Sequence, residues 1–567
     1  MRLKHLLGYT LLALALVLAA CNKDDVITTD PAPVIKVVGG NAFEVKVGGE
    51  VTLSPEVEYA EGASFEWIMD GRTLSSTRTY KFKAERVGTF YITLRVSNAT
   101  GSDEADLRVE VLPLQQPVVS LATGADKRIE VKAGVACEVL CSVGGADDVE
   151  YEWLLDGKSV SREPTLSVQI DQIGDYPLKV KVTAEDGSAE ASATLCVVEN
   201  FSRKLQFLPL ATNGRASRRY VSLGRELHLR PVAENFLSPT FEWRVNGTSV
   251  GGGSTLHYAP EAEGVCVVSL VVTDVDGYSL QAEVEVECCA EEGSFRREPT
   301  AESAMVCNCI YEYNPAVGQF INEDKSGFAG QSTAEAAVAY AEKRFASGSY
   351  VSLGGWGGYL VAGFDHSVAD GEGYDIVIDG NMHEGSSEAG IVWLSQDTNG
   401  NGLPDDEWYE LRGSEYDAPT TLRDYAVTYY APAGDAMDVL WRDNRGAMGR
   451  IARVDAHKQA SYYPAWADKG SFTLYGTRLE SRTTLDSVTG NYVNAPFAWG
   501  YVDNIGSDLY GDSGRSNGFD IANAVTADGS PANLQYIDFV KVQSAINTTA
   551  GHLGEISTEL CSITALR

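Results

Sequence analysis

Positive charge is what this chain has least of for its size. Its 567 residues carry 45 Lys and Arg against 79 Asp and Glu, a formal net charge of −34. Such a surface repels phosphate backbones and anionic headgroups alike, which excludes nucleic acid and direct adsorption to an anionic bilayer. Histidine is sparse as well, with seven scattered residues and neither a His-Glu-x-x-His zinc helix nor a nucleophile elbow. Asp365-His366 is the one suggestive pair, and it reads more readily as a satisfied histidine at a strand end than as a general base. No pair among the many carboxylates is marked out for glycosidase chemistry. Helical periodicity is nearly missing. What remains is ordinary folded composition, 44% hydrophobic and 22% charged, in a chain long enough for about four domains.

Cysteine is modest, and its count is informative. Apart from Cys21 there are nine, in three groups: Cys137, Cys141 and Cys196; Cys266, Cys288 and Cys289; Cys307, Cys309 and Cys561. An odd number leaves at least one thiol unpaired within a monomer, and no spacing fixes a connectivity. Buried thiols acting as small apolar side chains account for them equally well.

Arg2, Lys4 and His5 precede an apolar run, Leu6 to Leu18, broken by Gly8, Tyr9 and Thr10. That run is too short for a comfortable bilayer span, so residues 1–20 read as a signal segment removed from the mature protein. Its ending, Leu18-Ala19-Ala20-Cys21, resembles the lipobox of bacterial lipoproteins, which implies that Cys21 is the acylated first residue. Acyl chains at roughly 0.8 kcal/mol per buried methylene would hold the protein on a membrane, its only membrane contact. Asn22-Lys23-Asp24-Asp25 resembles the Lys-acidic export tag of Bacteroidetes lipoproteins. The resemblance implies a lipid-anchored place on the outer membrane, facing the cell exterior. Residues 21–33 form a linker ending in Asp30-Pro31-Ala32-Pro33.

The clearest pattern is a repeat. Phe65-Glu66-Trp67, Tyr151-Glu152-Trp153 and Phe241-Glu242-Trp243 are followed by the turn pairs Asp70-Gly71, Asp156-Gly157 and Asn246-Gly247. From each Trp it is 21 residues to one glycine (Gly88, Gly174, Gly264) and 34 to another (Gly101, Gly187, Gly277). Spacing kept to the residue across three copies marks an internal duplication. Short alternating strands with regular turn signals predict β-sandwiches over residues 34–113, 117–198 and 203–290, each Trp filling the space between its sheets. These units resemble PKD and related immunoglobulin-like modules, which serve mostly as spacers. The proline-bearing link Gln115-Gln116-Pro117 predicts neighbours held extended, as a stalk.

From about Ser303 the pattern changes, and six of the nine Trp residues follow. One helix is legible, with Ser332 as cap, Glu335 three residues on, Ala334, Val338, Ala341 and Phe345 as its apolar stripe, and Gly348 as its stop. Otherwise strands predominate, so residues 303–567 read as one large jelly-roll-like β domain and the whole chain as all-β. Asp397-Thr398-Asn399-Gly400-Asn401-Gly402-Leu403-Pro404-Asp405-Asp406-Glu407 places oxygen ligands where a calcium loop needs them. The expected ligands of a structural calcium are Asp397, Asn399, Asn401, the Leu403 carbonyl, Asp405 and Glu407. The loop resembles those of thrombospondin type 3-like and dockerin-like repeats.

Ser352 to Gly358, Gly363 to Val368, Trp408 to Tyr416 and Ile537 to Gln543 resemble blocks of the Bacteroidetes "cell surface protein" family. In that family a stalk of PKD-like units precedes a domain of this kind. Some members accompany TonB-dependent uptake systems, including those for corrinoids. The resemblance implies capture of an extracellular small molecule or glycan beside such a receptor, with Trp356, Asp365 and His366 as candidate ligand contacts. A binding module, not an enzyme, is the expected function; a glycan-active hydrolase and a purely adhesive surface protein are the alternatives.

Overall fold

The computed structural model describes residues 31–37, 40–208, 218–323, 326 and 331–566. The expected signal segment and the expected lipidation site, Cys21, lie outside the described residues. The chain divides into two compact units, residues 1–114 and 115–567. Among the described residues no helix is long and apolar enough to cross a membrane.

The first unit is a two-layer sandwich. One sheet runs in the order Ala42–Lys46, Gly101–Leu112, Gly88–Asn98, Ser64–Met69, Arg72–Ser75. Ala42–Lys46 lies parallel to its neighbour, and the other pairings are antiparallel. Facing it are two short ladders, Val34–Lys36 with Glu56–Glu58 and Glu50–Leu53 with Tyr80–Lys83. Every second residue of Gly88–Asn98 turns inward, so Ile92, Leu94 and Val96 are fully buried around Trp67. The tryptophan keeps its one polar atom satisfied: Nε1 donates to the Thr77 carbonyl at 2.9 Å.

The same design recurs twice in the second unit. The sheets Arg128–Lys132, Gly187–Val198, Gly174–Ala184, Glu150–Leu155, Lys158–Ser161 and Arg219–Leu223, Ser279–Glu291, Gly264–Thr273, Thr240–Val245, Thr248–Gly251 repeat the strand order. Trp153 and Trp243 are buried, and their Nε1 atoms donate to Glu163 O and Gly253 O at 2.9 and 2.7 Å. In all three copies the acceptor lies ten residues after the Trp. The hairpin after each Trp needs positive φ at both central residues, found at Asp70 and Gly71 (50°, 73°), Asp156 and Gly157 (53°, 74°), and Asn246 and Gly247 (48°, 82°). That requirement explains why Asp or Asn precedes Gly each time.

The terminal domain packs a six-stranded antiparallel sheet against a three-stranded one. The larger sheet runs Cys309–Asn314, Tyr359–Ala369, Tyr536–Ser544, Gly390–Ser395, Trp408–Leu411, Ala524–Val525. The smaller runs Ser516–Phe519, Ile376–Asp379, Ser562–Ala565. Leu360, Val392, Val540 and Val542 from one layer meet Ile376, Ile378 and Ile563 from the other in the main core. A four-stranded sheet, Met448–Ile451, Val439–Asp443, Leu422–Tyr430, Ser471–Arg478, carries its own core around Trp356, Tyr425 and Tyr429. The helix spans Ala334–Ala346, but Thr333 caps it, its hydroxyl accepting from Ala336 N. Its buried face is Ala337, Tyr340 and Ala341, so Ala334 of the expected stripe points to solvent.

An extended stalk is not what the second unit forms. The second sandwich touches the four-stranded sheet, with Ser142 Oγ donating to Asp438 O at 2.8 Å and Arg442 donating to Glu130 O at 3.0 Å. The third docks through Gln206 to the Tyr475 hydroxyl (2.9 Å), Asn444 to Glu234 (3.0 Å), the ion pair of Arg230 with Asp424, and His228 to Asp528 (3.1 Å). Polar groups at matched positions hold these two sandwiches to the terminal domain. All nine described cysteines are free thiols, and burial pushes those of Cys141, Cys307 and Cys561 up to about 11.

Candidate functional site

Strand pairing sets the pocket. Trp393 lies opposite Lys541 on one side and Glu410 on the other, so the three form a row across one face of the six-stranded sheet. Trp408 opens the neighbouring strand on that face. The Lys541 ammonium sits 4.9 Å from the Trp393 ring centre, 5.4 Å from Trp408 and 5.6 Å from Tyr359, a cation held among aromatic faces. The third sandwich covers this face with Leu208, Pro231 and Val232, leaving a cavity of about 230 Å³.

The cavity's polar groups are few and specific. Glu410 accepts from the Thr477 hydroxyl at 2.7 Å, and burial raises its carboxyl to about 7. Burial lowers Lys541 to about 8, opposed by the nearby carboxylates of Glu312 and Glu410. Trp393 Nε1 is buried without a hydrogen-bond partner. An apolar floor of indoles with one unused N–H donor and one lysine is suited to a ring that carries hydroxyl or carboxyl groups. The volume falls below the ~300–1,000 Å³ of drug-sized sites, so it admits one small ring and not a macrocycle.

The Asp397 loop lies at the other end of the segment that leads into Trp408. Asp405 gathers the side-chain amides of Asn399 (3.0 Å) and Asn401 (3.1 Å), and Asp397 Oδ2 accepts from Gly402 N at 3.0 Å. Gly400 is obligatory, since a Cβ there would lie 2.4 Å from the Phe295 ring. Asp406, fully buried, has neither carboxylate oxygen in a hydrogen bond, and Asp397 Oδ1 is buried and unpartnered too. Burial, with Asp397 and Asp405 beside it, drives the Asp406 carboxyl well above its usual range; the Thr398 and Asn399 amides oppose this without reaching bonding geometry. Three orphaned carboxylate oxygens in one loop fit a hard divalent cation. Glu407 is not part of this arrangement. It lines the cavity and pairs with Arg219 of the third sandwich at 3.4 Å. Asp406 takes the inward place expected of it.

Two other candidate contacts prove to be interior. Trp356 has no solvent exposure; it meets Tyr425 edge to face at 4.7 Å, and its carbonyl accepts from the Tyr429 hydroxyl. His366 is 1% exposed, its Nδ1 bonded to Asp365 at 2.8 Å. Asp365 is partly exposed and also accepts from Ala304 N. That histidine bond is the main influence holding its carboxyl below the usual range. Neither ring can reach a ligand. The pocket residues Trp393, Glu410 and Lys541 carry no sequence signature of their own; the excess of Trp in the last third was the available signal, and it named the wrong Trp.

A family model described as a PKD-like domain matches residues 32–98, most of the first sandwich. The second and third sandwiches repeat the strand order of this PKD-like first one, and the chain is all-β. Among solved structures, a three-Ig structure of titin domains aligns with 46% of this chain and 99% of its own, at 15% identity and a TM-score of 0.24. Fibronectin(III)-like modules of Clostridium thermocellum CbhA align with 29% of this chain and 93% of theirs, at 16% identity and 0.18. Sidekick-1 immunoglobulin domains 1–4 align with 45% and 73%, at 16% identity and 0.20. Scores of this size support no transfer of function to this chain.

Proposed function

We propose that this chain is a Bacteroidetes outer-surface lipoprotein, anchored through Cys21, whose terminal β domain captures a glycan for nutrient uptake beside a TonB-dependent receptor. The observation that carries this reading is the pocket over Trp393, Trp408 and Lys541 at the seam with the third sandwich. Its two indoles offer stacking faces to a sugar ring, and the Trp393 N–H and the Lys541 ammonium offer donors to its oxygens. Its size favours a single sugar residue at a chain end over a corrinoid. The first sandwich serves as the spacer, while the second and third serve as part of the terminal assembly. Calcium in the Asp397 loop, held by Asp397, Asp405 and Asp406 with the Asn side chains, would neutralise the carboxylates there and hold the strand that bears Trp408.

Incubating the full chain with a glycan panel tests this. Retention of a glycan without new reducing ends is expected. New reducing ends would make the protein a hydrolase, and no retention of any glycan would contradict the capture role. Cys21→Ala should move the protein from the membrane fraction to the medium; a variant still bound to membrane contradicts the anchor.

A further inference from the structure

A second set of carboxylates, made of residues outside the Asp397 loop, has no part in the pocket. Glu388, Asp503 and Glu559 bring carboxylate oxygens within 4.8 Å of one another. Asp503 is fully buried and Glu559 2% exposed. The groups around them are neutral. Asp503 accepts from the amides of Asn381 and Glu559, each at 3.1 Å. Glu388 accepts from Ser386 Oγ at 3.3 Å and Asn494 Nδ2 at 3.2 Å, and Glu559 from Ser557 Oγ. None of these donors brings a positive charge. Three acidic groups packed this closely, two of them buried, repel one another unless a cation or protons intervene.

An independent feature indicates which. Glu388 and Glu559 line a cavity of about 490 Å³, and Gln319, Asn494 and Glu555 line it with them. Gln319 Oε1, Asn494 Oδ1 and Glu555 Oε2 are buried and have no hydrogen-bond partner, on residues only 7%, 7% and 3% exposed. Unused oxygens on several side chains of one cavity wall suit a ligand that presents positive charge to them, and protons shared within the triad would leave these three unpartnered by protein. Carboxylate and amide oxygens, numerous and unevenly spaced, suit calcium, which takes six to eight oxygen ligands in flexible geometry.

We propose that Glu388, Asp503 and Glu559, with Glu555 and Asn494 on the cavity wall, form a calcium site distinct from the Asp397 loop. The ion would tie together three segments far apart in sequence: the approach to Gly390–Ser395, the loop around Asp503, and the C-terminal segment at Glu559–Leu560.

Calcium stoichiometry of the full chain, measured by equilibrium dialysis, tests the site. Asp397→Asn with Asp406→Asn first disables the loop, and this background should still bind one calcium per chain. Adding Asp503→Asn and Glu559→Gln should abolish that remaining calcium. No calcium bound to the loop-disabled background, or a count unchanged after the further substitutions, overturns the proposal. Should the combined variant fail to fold, Glu388→Gln in the otherwise unaltered chain gives the same reading. A loss of one calcium per chain, or at least a tenfold weaker second site, supports the proposal; an unaltered isotherm overturns it.

Discussion

In the sandwiches Trp67, Trp153 and Trp243 are sealed between sheets and each spends its N–H on a backbone carbonyl; in the terminal domain Trp393 sits at a cavity with its N–H unused. The contrast extends to charge. The second sandwich's core is apolar throughout, built on Ile129, Val139, Leu166, Leu178 and Val180 around Trp153. The terminal domain buries Asp375, Asp397, Asp406, Asp503, Asp538, Glu555 and Glu559. Burying a carboxylate costs several kcal/mol unless something compensates it, so a fold retains many of them where they hold a ligand. The sandwich tryptophans, their N–H groups spent on backbone carbonyls, have none left to offer a ligand. The terminal domain keeps unsatisfied donors and acceptors at its cavities, and function is expected there.

The predictions that would break or sharpen this contrast run from large to small. Trp153→Ala empties a sealed site and should destabilise the second unit by about 3–5 kcal/mol in chemical denaturation. Trp393→Ala, at a cavity, should cost far less, and equal losses would erase the contrast. Chelation should lower the melting temperature of the full chain, since a bound ion contributes about 2.7 kcal/mol at a hundred times its dissociation constant. Asp397→Ala with Asp405→Ala should diminish that calcium response, and identical melting in chelator and in millimolar calcium would remove the metal from the account.

A third prediction concerns pH. Glu410 has its carboxyl raised from 4.5 to about 7 in the folded protein, so folding favours its protonated form. Its contribution is full below about pH 4.5 and is lost as pH rises through about 7. Glu410→Gln should therefore flatten the fall in stability across that interval, and an unchanged pH profile would show that Glu410 is not held protonated. Smallest of all, Arg230→Ala breaks an exposed seam pair with Asp424 and should change stability by less than about 1 kcal/mol.

Much of the repeated part was legible because its signals are local. Alternation, an Asp-Gly or Asn-Gly turn and a fixed Trp-to-Gly spacing each encode one sandwich within a single stretch of chain. The terminal site was less legible because it is assembled across strands. Trp393, Glu410 and Lys541 become neighbours only through register, and no residue-to-residue spacing foretells it. The Asp397 loop shows both cases. Its ligand pattern was visible in one segment, yet Glu407 is drawn to Arg219 of the third sandwich, a partner remote in the chain. The folding of the second and third sandwiches onto the terminal domain was invisible for the same reason, since seams such as Ser142 with Asp438 join residues remote in the chain.

The most direct test of the claim that function lies in the terminal cavity compares glycan retention by the wild-type full chain with that of Trp408→Ala and Trp393→Ala. The account predicts a loss of at least tenfold in affinity for both variants, with circular dichroism and melting close to wild type. Retention unchanged in both, with the fold intact, would contradict it.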